Sequence, residues 1–405
     1  MEQVARARWA VAAVFATHGA ASGSFATRVP WIREHLVLSP GWLGFALVFM
    51  TAGSLAAMPL AAGLTHRLGP RATLRWLALL CFAGLALPAL APSLGWLCGA
   101  LFVYGCGLGL LDVAMNEQGV KVEERYGRSV MSSLHGMWSV GALAGGAVGA
   151  LAAHFESDAR VHLALTAPVL AVAALVAASW VLGSAARPHG EPAKRPPHFA
   201  LPSRGALAIG AVGLCGVFAE GASMDWSGIY LRDVTGAAPG LAASAYTAFA
   251  CTMAAARLAG DALVARFGAV RTVRTGGVLA ALGAGLVVVA RTPGLAVAGF
   301  ALVGVGIAVV VPLCFAAAGR LGGAAPGQAI AGVATLAYAA GLAAPAVVGW
   351  IAETTSLSAS FAVVTTLALG LVLGAGRLGA GQHARTAARA VPEPEARQSA
   401  PEEQS

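Results

Sequence analysis

Residues 94–116 read LGWLCGALFVYGCGLGLLDVAMN. From Leu94 to Leu111 no residue carries a formal charge; Asp112 follows, and Asn116 lies four residues on. A lipid bilayer has a hydrocarbon core about 30 Å thick, and a helix rising about 1.5 Å per residue crosses it in roughly 20 residues. The stretch has that length and that composition. Its acid cannot be left to lipid, so it must face a cavity or a partner.

Comparable apolar runs surround it. They lie near 9–28, 41–64, 72–92, 94–116, 131–154 and 161–184, then near 206–231, 240–264, 272–290, 294–319, 328–352 and 357–378. Over all 405 residues, 58% are hydrophobic, 11% are charged, and mean hydropathy is +0.75. Soluble domains are about half apolar and about one quarter charged, and a disordered chain is far more polar. The reading is an all-α polytopic membrane protein with twelve transmembrane helices. Twelve crossings of about 21 residues leave roughly 150 for loops and termini, which excludes a soluble catalytic domain of ordinary size. The first run follows Arg6 and Arg8 like a signal peptide, but it continues to Thr27 and is read as a retained helix.

Two segments stand apart. Residues 185–204 (AARPHGEPAKRPPHFALPSR) have the composition of a linker, and 379–405 lose hydrophobic periodicity. The expected organisation is a six-helix bundle at 1–184, a cytoplasmic linker at 185–204, a second bundle at 205–378 and a disordered cytoplasmic tail at 379–405. With the N-terminus inside, 20 Lys and Arg fall on the cytoplasmic side and five (Arg28, Arg33, Arg160, Arg232, Arg291) outside, with Arg257 within a span. Basic residues concentrate in cytoplasmic loops, so both termini are expected in the cytoplasm of a bacterial inner-membrane protein. The net charge of +8 is then topology, not a nucleic-acid footprint. The six cysteines all lie within apolar runs without CxxC or His/Cys clustering, so they read as small core hydrophobes, and no metal or cofactor is implied.

The halves repeat at an offset of 199 residues: Pro40 meets Pro239, Arg67-Leu68-Gly69 meets Arg266-Phe267-Gly268, and Gly105 and Gly107 meet Gly304 and Gly306. Parallel repeats of this kind build transporters, with the site at the midplane. The loop Gly63-Leu64-Thr65-His66-Arg67-Leu68-Gly69-Pro70-Arg71 resembles the G-x-L-x-D-R-x-G-x-R signature of the major facilitator superfamily, with His66 in place of the aspartate. The later copy keeps an acid, Asp261, several positions earlier. Asp112-Val113-Ala114-Met115-Asn116 and Ser133-Leu134-His135-Gly136 resemble the branch near the fucose–proton symporters. The resemblance covers nearly all of 9–378. It implies alternating access, switching loops at Arg67, Gly69, Arg71, Arg266 and Gly268, and a proton-linked acid at Asp112.

Few ionisable groups lie within the spans, and such groups mark pathways. A carboxyl withdrawn from water binds its proton more tightly, which suits proton binding and release. Asp112 and Asn116 share a helical face; the structural alternative for Asp112 is a helix-end acid bonded to loop groups such as Lys121. Glu220 and Asp225 are about 140° apart around a helix. Glu220 is expected to face the cavity, and Asp225 to act nearer the exterior as gate or anchor. Arg257 and Asp261, four apart, form a local ion pair, or Arg257 reaches a carboxylate on the facing half. His18 and His135 read as hydrogen-bonded structural histidines, with substrate contact the alternative for His18. Trp138 and Tyr338 read as packing. Small residues in span five (Gly136, Gly141, Gly145, Gly146, Gly149) permit close helix approach; the run resembles the antiporter signature without its proline. Pro312 and Pro345 are expected kinks.

The expected function is secondary active transport of a small solute, with the proton as coupling ion, most simply by symport. Efflux by proton antiport and passive uniport are the alternatives. A monomer in the bilayer is expected. Neither HExxH nor a P-loop is present, so an enzyme is not expected; a sensor would bind ligand without flux.

Overall fold

Glycine in the left-handed region turns the chain at equivalent places in the two halves. Gly69 has φ 78° and Gly268 has φ 79°, a conformation that costs a residue with a Cβ. Each separates two helices. The computed structural model describes residues 2–38, 40–183, 203–237, 239–321 and 326–379. The expected linker, apart from Ser203 and Arg204, and the expected tail beyond Gly379 therefore lie outside the described residues. Arg204 is not linker: it opens a helix whose end is capped by the Ser203 hydroxyl, which accepts from Ala206 N.

The first half contains α1 (Glu2–Ala26), the short α2 (Val29–His35), α3 (Pro40–Ala57), α4 (Ala61–Leu68), α5 (Pro70–Gly84), α6 (Leu94–Tyr126), α7 (Met131–His154) and α8 (Ala159–Ser179). The second contains α9 (Arg204–Thr235), α10 (Pro239–Phe267), α11 (Ala269–Val289), α12 (Pro293–Ile307), α13 (Val310–Leu321), α14 (Pro326–Thr354) and α15 (Leu357–Gly374). Among the described residues, 11 helical stretches from Trp42–Leu68 to Leu357–Gly379 are long and apolar enough to cross a membrane. The twelfth crossing is α1, packed against α6, α7 and α8. The twelve expected spans are thus all helical.

Of two helix breaks, the sequence anticipated the one at Pro312 and not the one at Met58–Leu60. A crossing in each half is broken: α3 passes into α4 through a tight turn at Met58–Leu60, and α12 is followed by α13 after Ala308 and Val309. Proline explains both positions, because it supplies no N–H and clashes with the carbonyl four residues back. Pro59 lies in the first turn and Pro312 in the opening turn of α13. Pro345, in contrast, sits inside an unbroken α14.

The repeat extends to individual contacts. A Cβ at Gly105 would collide with the Met50 carbonyl, and one at Gly304 with the Phe249 carbonyl. Gly107 backs onto Cys81 and Gly306 onto Ala280. Each of these pairs is separated by the same 199 residues, so both halves use one packing solution.

Helices of the two halves meet through α7 with α10 and α13, α6 with α13 and α14, and α14 with α3 and α4. These junctions lie toward the face that carries the Gly69 and Gly268 turns, the basic face. At that level Gly319 abuts Val120, Gly327 abuts Ala62, and Gly136 abuts Leu258.

Candidate functional site: a cavity between the halves

Above those junctions lies a cavity of about 400 Å³. His18 of α1, Asp112 of α6, and His135 and Trp138 of α7 form one wall. Glu220 of α9, Arg257 of α10, Phe315 of α13 and Tyr338 of α14 form the other. The repeat brings them together, because midplane positions of both halves converge on one axis.

On the first wall, Asn116 Nδ2 donates to the Asp112 carbonyl (2.9 Å) and carboxylate Oδ1 (3.3 Å). Asn116 Oδ1 is therefore the acceptor for His135 Nε2, 3.0 Å away. The His135 ring stacks on Phe315 and meets Phe15 at a tilt. Asp112 is 6% exposed and Asn116 is fully buried. Asp112 Oδ2 has no hydrogen-bond partner at standard distance, and the Tyr338 phenol stands beside the same carboxyl from the opposite half. The helix-end alternative fails. The helix runs on to Tyr126, and Lys121 pairs with Glu117 instead, at 2.6 Å.

His18 is tied up inside the protein. Its Nδ1 accepts from Trp138 Nε1 (2.8 Å), leaving Nε2 to donate to the Leu108 carbonyl (3.3 Å). It is a structural histidine at the cavity wall, not a free donor for a solute. Trp138 and Tyr338, read from sequence as packing, both line the cavity.

The expected Arg257–Asp261 pair does not form. Arg257 Nη2 donates to both Glu220 oxygens at 3.1 Å, Nε to the Ala308 carbonyl at 3.2 Å, and Nη1 to Ser139 Oγ of α7 at 3.2 Å. The carboxylate thus belongs to the same half, and only the Ser139 contact crosses to the other. With Arg257 5% exposed, a nearby half-buried acid and a carbonyl satisfy the guanidinium fork better than the next turn of α10.

Asp261 instead crosses to the first half, where its carboxylate accepts from Ser129 Oγ (3.1 Å), Ser132 N (3.0 Å) and Ser133 N (2.9 Å). These are free donors at the start of α7, which attract an anion. Ser132 Oγ donates back to the Arg257 carbonyl at 2.7 Å. Glu123 reinforces the junction: one oxygen accepts from Val130 N and Met131 N, and the other pairs with Arg320 of α13 at 3.4 Å. Asp261→Ala strands this set of donors, a loss of about 1 kcal/mol. The expected result is easier opening of the basic face, read as faster maleimide labelling of a cysteine at Val309, which is 4% exposed here.

Asp225 is exposed and is not among the cavity-lining residues. Of the signature arginines, Arg71 Nε donates to the Val181 carbonyl just past α8 at 2.7 Å, and Arg266 lies over the Phe267 ring at 5.3 Å. Sequence reasoning missed Ser139, Phe315 and the Glu123–Arg320 pair. Ser139 alone had a readable signal, a polar residue one turn past His135 in an apolar span. Among the described residues, no three His, Cys, Asp or Glu side chains converge as a metal site.

Two six-helix bundles closed at one face around a central cavity are the architecture of a polytopic membrane transporter. The profile of the Major Facilitator Superfamily matches residues 11–233. An uncharacterized transporter, y4wD of Sinorhizobium fredii, is 36% identical over 356 residues, covering 87% of this chain and 93% of that protein. The chain belongs to the major facilitator superfamily. Among solved structures it is similar to the fucose–proton symporter FucP of E. coli, seen in the outward conformation, at 14% identity and TM-score 0.71, covering 92% of this chain and 98% of that one. It is also similar to the proton–xylose symporter XylE bound to 6-bromo-6-deoxy-D-glucose, at 13% identity and TM-score 0.70, covering 92% and 95%. At that identity the likeness is one of fold.

Proposed function

We propose that the chain is a proton-coupled secondary transporter that carries a small solute across the cytoplasmic membrane of a bacterium by alternating access. Asp112 is the proton-bearing group. One observation carries the reading: the cavity between the halves holds a buried acid for which, among the described residues, no cation forms an ion pair. Glu220 is offset by Arg257, so Asp112 is the group whose protonation changes the cavity charge.

The excess of Lys and Arg on that face supports a cytoplasmic position for it and for both termini, which makes the conformation outward-facing. Halves at 1–184 and 205–378 rock about the cavity as a monomer, joined by 185–204. The Asp261 and Glu123 contacts, with the Arg67-Leu68-Gly69, Arg71 and Arg266-Phe267-Gly268 turns, form the inner gate. Asp225 lies at the outer approach to the site.

Symport is the first reading for a neutral solute, which loads beside a protonated Asp112. Exchange is the second. It is favoured if the solute is a cation, because an ionised Asp112 then balances it. Proteoliposomes with a pH-sensitive dye separate the two. Solute entry by symport alkalinises the medium and exchange acidifies it; for a broad solute panel, flux indifferent to the pH gradient defeats the proposal.

A further inference from the structure

Most of the hydrogen-bond donors on the cavity wall are already engaged. The Trp138 N–H is spent on His18 and the His18 Nε2 hydrogen on the Leu108 carbonyl. The Ser54 hydroxyl is spent on the Gly105 carbonyl, and His135 Nε2 on Asn116. The Arg257 fork is engaged by Glu220, Ser139 and Ala308. What remains around Asp112 is chiefly acceptor: its carboxyl, whose neighbouring donor from the other half is the Tyr338 phenol, and the outer lone pairs of Glu220.

Charge points the same way. The titratable and charged groups around Asp112 are His18 of α1, His135 of α7, Glu220 of α9, Arg257 of α10 and Tyr338 of α14. The Glu220–Arg257 pair cancels, and both histidines are held by neutral-ring hydrogen bonds, so an ionised Asp112 leaves the cavity with one uncompensated negative charge. Around it stand Trp138, Phe315 and Tyr338. The Trp138 N–H is engaged by His18, so its ring is what it offers the cavity. Aromatic faces beside an unpaired carboxylate make a favourable setting for an organic cation.

We infer that the transported solute is a small organic amine in its ammonium form, paired with Asp112. The inference rests on the reading of this cavity as the transport site. An organic anion is disfavoured, because Arg257, the cation among the cavity-lining residues, is already paired with Glu220. The ammonium and a proton compete for one carboxylate, so loading either displaces the other and the coupling is exchange.

The test uses purified full-length protein and two matched sets of probes: glucosamine, glucose and glucuronate; and phenethylamine, 2-phenylethanol and phenylacetate. Binding is read by thermal stabilisation and by quenching of tryptophan fluorescence. The amine of at least one set should bind about tenfold or more tightly than its neutral and anionic counterparts. Asp112→Asn should remove that preference, and Asp112→Glu, which keeps the charge, should retain it. A neutral or anionic member binding as well as its amine overturns the inference, as does amine binding that survives Asp112→Asn. Binding by neither amine also overturns it, while gradient-driven flux of some other solute would leave the transporter reading standing.

Discussion

Asp112→Asn is expected to abolish accumulation of solute against its gradient, while counterflow survives for a solute that needs no charge at residue 112 to bind. Asn fills the same volume and mimics the neutral, protonated acid, so the packing and the Asn116 hydrogen bond to the main-chain carbonyl of residue 112 survive. What is lost is the ability to change charge. A transporter whose coupling group cannot ionise still exchanges solute for solute, because the halves can rock with a neutral site, but it cannot convert a proton gradient into work. The expected loss of gradient-driven accumulation is about tenfold or more. Accumulation equal to that of the unsubstituted protein would remove Asp112 from the coupling step.

The second large effect is expected at Arg257. Arg257→Ala leaves Glu220 without its counter-charge in a cavity wall and strands the Ala308 carbonyl and Ser139. Breaking one side of a buried pair costs about 3 kcal/mol or more, because the remaining charge is uncompensated. The Glu220 side chain is 21% exposed, so the cost is at the lower end of that range. The unfolding midpoint in detergent should fall and transport should be lost. Arg257→Ala with Glu220→Ala should recover much of the stability without recovering transport. Recovery of both would mean that the pair is packing alone.

Much of the fold was legible because lipid imposes a simple rule: each crossing must satisfy its own backbone, so each reads as an apolar run of fixed length. The boundaries from 94 to 116 and from 206 to 231 fell short because helices continue past the apolar layer, where Glu117 to Tyr126 and Arg232 to Thr235 are polar yet still helical. Pro312 was readable as a break, whereas the turn at Met58–Leu60 was not singled out beside Pro59.

At the site, helical geometry decided what could be read. The 140° separation of Glu220 and Asp225 anticipated that only one would line the cavity, and only Glu220 does. The four-residue spacing of Arg257 and Asp261 misled. It fixes which side chains are neighbours on α10, but not what the adjoining helices offer them. Glu220 of α9 and the free N–H groups of α7 are tertiary partners, invisible to periodicity. The same holds for Glu123 and Arg320, which are 197 residues apart.

The central claim is that solute passes only when the basic face opens. Gly327 and Ala62 meet across that face; a Cβ on Gly327 would lie 3.2 Å from that of Ala62, near disulfide reach after slight relaxation. In a background with the six native cysteines replaced, Ala62→Cys with Gly327→Cys should transport when reduced and stop when oxidised, while either single substitution is indifferent to oxidant. Undiminished flux through the cross-linked protein would contradict alternating access about this cavity.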